Sequence, residues 1–158
     1  MPGKYSEMLH PREKSGPRGG WWSFSPTKIE AAARKAAGLD YCSMASTILE
    51  DGGFSYTLDG KEPTTGFMVG GAKAYEFRKE VSEMTDKDIV SYASTHLRGL
   101  MYKDYYLGGW LSGTKACLDV SKNVFTKSEA IRLAIKYTQD SVYIVGDGFL
   151  TKGVDYDW

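Results

Sequence analysis

The stretch from Leu107 to Val120 constrains the fold of this chain more than any other. Leu107–Leu111 and Lys115–Val120 are short, strand-like runs, and Ser112-Gly113-Thr114 between them is a glycine-containing loop of hairpin length. Strands joined so tightly pair antiparallel, because a parallel pair needs a crossover of a dozen or more residues. The remaining signals do not alternate strand and helix as a doubly wound fold would. They predict an α+β fold, an antiparallel sheet with three or four helices packed mainly on one face, plus an irregular N-terminal arm.

The helices are read from caps and periodicity. Ser25 caps a helix over 26–37, Pro26 suits its first position, and Gly38 fits a left-handed stop. A second helix over 41–50 puts Tyr41, Met44, Ala45, Ile48 and Leu49 on one face, and Gly52-Gly53 ends it. Thr85 and Asp88 form a capping box for a helix that buries Ile89, Tyr92, Ala93 and Leu97. Thr126 and Glu129 open another over 127–138, with Ala130, Ile131, Ala134, Ile135 and Tyr137 apolar. Strands are expected at Phe54–Leu58, 66–70, 75–81 and Ser141–Val145, with 100–106 irregular. Asp147-Gly148 is read as a turn into a polar tail. The organisation expected is an arm over 1–25, one α+β domain over 26–150 and an acidic tail over 151–158.

With 158 residues the chain can bury roughly 70% of its unfolded surface, so it needs neither disulfide nor metal to fold. Two cysteines, Cys42 and Cys117, are too few for a secreted scaffold and are expected reduced, in or near the core. No apolar run reaches the ~20 residues of a membrane-spanning helix. The opening Met-Pro-Gly-Lys-Tyr-Ser-Glu has no signal-peptide core, so the expected location is inside a cell. Formal net charge is zero, but unevenly spread. Residues 1–28 carry Lys4, Arg12, Lys14, Arg18 and Lys28 against Glu7 and Glu13; residues 139–158 carry Asp140, Asp147, Asp155 and Asp157 against Lys152. Such ends can remain solvated, attract each other or attract a neighbouring copy.

No catalytic signature survives inspection. His10, His96, Cys42 and Cys117 do not lie at zinc-ligand spacing, and no cofactor motif is present. His96 falls near a helix C-terminus, where a cation would complement the dipole. Gly108–Lys115 resembles a phosphate loop, but Thr114 and Lys115 are in the wrong order and a strand follows. Asp119 interrupts an apolar strand; on the core face it needs a partner, and acid–base work would need a second carboxylate such as Glu76, Glu80 or Glu83. The candidate partner-binding residues are instead Trp21, Trp22 and Phe24, three large rings close together on an arm with few apolar residues before them, with Arg12, Lys14 and Arg18 preceding and Trp158 at the opposite end. The same basic residues and the tryptophan pair make nucleic acid a secondary option.

Over residues 57–145 the chain resembles a small α+β module of bacteriophages and mobile elements. The resemblance is carried by Pro63-Thr64-Thr65-Gly66-Phe67-Met68-Val69, Leu107-Gly108-Gly109-Trp110, Leu118-Asp119-Val120-Ser121, Glu129-Ala130-Ile131-Arg132-Leu133-Ala134 and Gln139-Asp140-Ser141-Val142-Tyr143. It implies a phage setting and no particular reaction. The expectation is a non-enzymatic bacteriophage protein that binds other proteins, foremost a virion-associated accessory or structural protein meeting capsid or portal. Its place would then be the host cytoplasm and the virion, with self-association a further option. The alternatives are an anti-CRISPR-like inhibitor of a host defence nuclease complex, and a toxin-like nuclease or transferase.

Overall fold

The computed structural model describes residues 24–158. Arg12, Lys14, Arg18, Trp21 and Trp22 lie outside the described residues. Among the described residues, five helices and seven strands follow in the order α1 (Pro26–Ala37), α2 (Tyr41–Asp51), β1 (Gly53–Tyr56), β2 (Phe67–Gly70), β3 (Phe77–Glu80), α3 (Asp86–Thr95), α4 (Leu97–Leu100), β4 (Tyr105–Ser112), β5 (Lys115–Val124), α5 (Lys127–Lys136), β6 (Ser141–Ile144) and β7 (Gly148–Thr151). The fold is α+β with an antiparallel sheet, as expected.

The predicted caps form. Ser25 Oγ accepts from Lys28 N at 3.2 Å, and Thr126 Oγ1 accepts from Glu129 N at 3.3 Å. Thr85 and Asp88 close a reciprocal box, with Thr85 N donating to Asp88 Oδ2 at 2.9 Å and Asp88 N to Thr85 Oγ1 at 3.4 Å. Lys79 on β3 adds its ammonium to Asp88 at 3.1 Å. The box therefore ties the start of α3 to the sheet, and its donors hold the Asp88 carboxyl below the usual range, the Thr85 backbone N–H foremost. Thr85→Ala removes one cap acceptor and is expected to destabilise by about 1 kcal/mol, read as a lower urea midpoint at unchanged slope.

Some helix details differ from expectation. Gly38 has φ −86°, and its N–H turns back to Lys35 O in a tightened last turn; the left-handed stop is at Gly52, φ 86°, after α2. Leu49 and Ile135 are exposed. The buried stripe of α5 is Ala130, Leu133, Ala134 and Tyr137, one step round from the expected face. Leu133 is nearly sealed, and its burial sets the rotation of the helix.

The strand order is β1-β4-β5-β2-β6-β7, with β3 also paired to β5. The long hairpin β4–β5 is the spine of the sheet. It matches Tyr105 with Lys122 through Ser112 with Lys115, turning at Gly113, φ 60°. On the other edge of β5, β2 takes Ser121–Val124 and β3 takes Lys115–Leu118. The chain between β2 and β3 leaves that edge at Asp119 and Val120. The strand expected over 75–81 is thus only Phe77–Glu80, flanked by short 3-10 turns. β4 and β5 are longer than expected because Tyr105-Tyr106 and Ser121–Val124 pair with each other and with β2.

Alternation divides the sheet into two faces. Phe54, Leu107, Ala116, Leu118 and Val120 meet α1–α4 in one apolar cluster around Met44, Ile48 and Ile89. Val69, Val124 and Val142 meet α5 in a second cluster with Leu133 and Tyr137. The cross-strand partners place both clusters on the same face. Among the described residues no helix packs on the opposite face.

The region expected as a polar tail is structured. β7 pairs with β6 from Ser141↔Thr151 to Ile144↔Gly148. Beyond it the chain folds back. Thr151 N donates to Asp155 Oδ2 at 2.9 Å, and Val154 and Asp155 N–H groups return to Thr151 O. This turn satisfies backbone groups at the outer edge of the sheet, a common way to blunt a terminal strand.

Candidate functional site

The open face, so named because no described helix covers it although Tyr106, Cys117, Asp119, Ser121 and Asn123 on it are buried, is built row by row from the register. Across β3, β5 and β4 the first row is Arg78, Cys117 and Trp110. Next, Asp119 lies opposite Gly108, with Glu76 just before β3 on the far side. Then come Gly70, Ser121 and Tyr106, followed by Met68 and Asn123. Met68 continues to Tyr143 on β6 and Phe149 on β7. A strand residue that looked like an interruption therefore lies at the centre of a polar stripe.

Asp119 is buried, 9% exposed, and its surroundings are occupied. Ser121 Oγ donates to Oδ1 at 2.9 Å, and the Trp110 side chain donates to the same carboxyl. The carboxyl leans over Gly108, where an added Cβ would collide with Oδ1. On the other side, a Cβ on Gly70 would lie 3.1 Å from Oδ2 and 3.0 Å from Gln139 Oε1. Burial pushes the Asp119 pKa up to about 6, the Ser121 bond opposes this, and the Glu76 charge adds to it. The Glu76 side chain is itself 8% exposed and is held by Arg78, whose Nε and guanidinium nitrogen each lie 3.2 Å from Oε2. Arg78 stacks over Trp110 at 5.4 Å.

The structure thus brings Glu76 and Asp119 together, while Glu80 pairs instead with Lys115 at 3.0 Å. Acid–base chemistry needs a carboxyl within reach of a substrate proton. Here one carboxyl is enclosed by Ser121, Trp110 and two glycine backbones, and the other is committed to Arg78. The arrangement satisfies a buried polar centre, as interiors require.

His96 caps the end of α3 with its backbone but does not work as a cation. Its ring is buried, 4.2 Å from Tyr92 and 6.2 Å from Tyr75, and burial lowers its pKa to about 4. The imidazole is neutral at pH 7, so the dipole argument for this position fails. Cys117 is buried as expected, whereas Cys42 is exposed on α2 with Sγ 3.6 Å from Asp86 Oδ2. The Asp86 charge raises that thiol's pKa, which lowers its thiolate fraction. No group of three His, Cys, Asp or Glu side chains among the described residues is placed to hold a metal ion.

Two surface hollows also carry polar side chains. One, about 280 Å³, lies between α3 and the segment before β3 and includes Asp88 and His96. The other, about 520 Å³, lies between α1, α2 and the turn at Asp59-Gly60. In the first, Asp88 serves Thr85 and Lys79; in the second, Lys35 pairs with Asp59 at 3.1 Å and Asp40 accepts from Ser43 N. Neither brings together an uncommitted acid and base.

Two of the rings read as partner-binding, Phe24 and Trp158, make contacts within the chain. Phe24 packs edge-on against Tyr102, centroids 4.9 Å apart. Trp158 donates its indole N–H to Gln139 O at 3.0 Å and packs against the α5 cluster. Both therefore have partners within the chain. Five rings are exposed among the described residues. Phe77 lies on the helix face opposite Leu118 and Tyr156 lies under the Lys127 ammonium, whereas Phe125, Tyr143 and Phe149, at 59%, 36% and 62% exposure, share the other face. Tyr143 and Phe149 lie 5.2 Å apart, while Phe125 follows β5 and rests against Gly66, just before β2. They span the ends of β5, β2, β6 and β7 on the open face, with Met68 buried between. The sequence signal for this patch was the alternation Val142-Tyr143-Ile144, which turns Tyr143 away from the core. Phe149 could not be placed before β7 was known.

No protein-family model matches this chain, and no curated protein or solved structure matches it. No helix among the described residues is long and apolar enough to cross a membrane.

Proposed function

We propose that this protein works by binding another protein, without chemistry of its own, and that the Phe125–Tyr143–Phe149 patch is its contact surface. The observation that carries the reading is three large rings left exposed on the sheet face that no described helix covers. Exposed aromatic clusters of this kind bury well against a partner and supply the anchors of protein interfaces. The enclosed state of Asp119 and the Arg78 contact of Glu76 argue against the nuclease or transferase alternative. Trp21 and Trp22 are the second contact element in this reading, by their composition. The setting proposed is a bacteriophage virion, where the chain serves as an accessory protein; the motif resemblance over residues 57–145 supports it.

Phe149→Asp places a charge in the patch without touching the core. It is expected to weaken partner binding at least about tenfold while leaving the melting temperature unchanged. Co-sedimentation of tagged protein with purified virions measures this, and a defence nuclease complex recovered in place of capsid or portal would select the inhibitor alternative. Equal incorporation of Phe149→Asp and wild-type protein would overturn the patch as the contact surface.

A further inference from the structure

We infer that the aromatic patch of one copy receives residues 1–23 of a second copy, so that the chain assembles head to tail. This rests on the protein-binding reading of the patch and names its occupant. The first argument is complementarity. Residues 1–23 contain Trp21 and Trp22 and four basic residues against two acidic ones. The patch is aromatic, and Tyr143 and Phe149 flank the β6–β7 turn that carries Asp147. Asp147 is the aspartate placed at that turn, whereas Asp140 pairs with Lys73 at 3.5 Å and Asp155 accepts from Thr151 N at the other end of the hairpin. Rings meet rings, and a basic segment meets the Asp147 carboxylate, which helps steer encounter and set register.

The second argument is placement. None of the described elements covers the patch, and Phe125 and Phe149 are each exposed by more than half. The segment enters the domain at Phe24, which rests on Tyr102 beside the helix-face cluster. Entry point and patch thus belong to opposite faces of the sheet. Twenty-three residues span up to ~75 Å when extended, enough to reach a neighbour. A contact between two different surfaces is heterologous: each copy that gives its segment still offers its patch, and the assembly grows into a ring or an open row.

The experiment uses three full-length proteins: wild type, Trp21→Ser with Trp22→Ser, and Phe125→Ser with Phe149→Asp. Mass is measured by light scattering after size exclusion over a hundredfold range of concentration, at low and high salt. Far-UV circular dichroism checks that each is folded, and Phe149→Ser alone replaces the patch variant if it is not. Wild-type mass is expected to rise with concentration and to fall back with salt, while each double variant stays monomeric. An equimolar mixture of the two variants is expected to form a two-chain species and nothing larger, because only one half of each contact survives. Wild-type protein that is monomeric throughout overturns the proposal. So does a tryptophan variant that associates like wild type, since the patch would then be pairing with itself, and so does a mixture that stays monomeric. If wild type is monomeric while Phe149→Asp still loses its virion partner, the assembly proposal falls and the binding reading stands.

Discussion

Gly109→Ala is expected to lower stability by about 3 kcal/mol and the melting temperature by roughly 6–12 °C. Gly109 lies directly across from Phe54, and a Cβ there would overlap the phenyl ring, with Cζ at 2.7 Å and Cδ2 at 2.9 Å. Neither side can yield easily. The ring is buried and stacked with Tyr56 at 5.8 Å, inside the cluster roofed by α1–α4. The glycine backbone is held on both sides, by β1 and by β5, so displacing it breaks two ladders. Urea denaturation measures the loss. The variant Gly109→Ala with Phe54→Leu should recover part of it, since the smaller side chain vacates the contested space. A loss below about 0.5 kcal/mol would mean that Phe54 does not lie over Gly109.

Asp119→Asn is expected to stabilise the protein above pH 7, by up to about 3 kcal/mol, and to change nothing near pH 4. In the native state the carboxyl's pKa is raised from 3.8 to about 6, so the folded protein holds this proton more tightly than the unfolded chain. The stability this contributes is fully present below pH 4 and is lost as pH rises through about 6. A raise of about two units corresponds to about 3 kcal/mol. Asparagine keeps an acceptor for Ser121 and Trp110, brings no charge beside Glu76, and can turn its amide toward Gln139 Oε1. His96 works in the opposite direction. Its pKa is lowered from 6.5 to about 4, so its contribution is present above pH 6.5 and is lost as pH falls through about 4. In wild type the two slopes oppose each other between pH 4 and 6.5. Asp119→Asn should expose the rising slope of His96, and His96→Gln the falling slope of Asp119. Melting curves across pH 4–8 read both; an Asp119→Asn curve parallel to wild type would show that Asp119 does not titrate in this window.

How far the chain can be read in advance depends on the range of the interaction involved. Ser25–Pro26, Thr85–Asp88 and Thr126–Glu129 mark helix starts correctly, because a cap needs only partners two or three residues away. The β4–β5 hairpin is equally local. β7 was hidden because Gly148–Thr151 has one buried residue, Leu150, and its regularity comes from pairing with β6. Leu49 and Ile135 were misplaced because an apolar residue at a stripe's margin is buried only if the next element covers it.

For the candidate site the division is sharper. That Asp119 needed a partner was legible from its apolar neighbours. That its face is the one no described helix covers, that Glu76 arrives beside it and that Gly70 and Gly108 make room for it all follow from the register of β5 with β3, β2 and β4. In the same way, Tyr143 and Phe149 become a patch only when β6 and β7 pair beyond β2. Caps, turns and periodicity are written within a few residues of chain. Strand register joins segments that local propensity does not connect, and one step of slippage would exchange the two faces of the sheet.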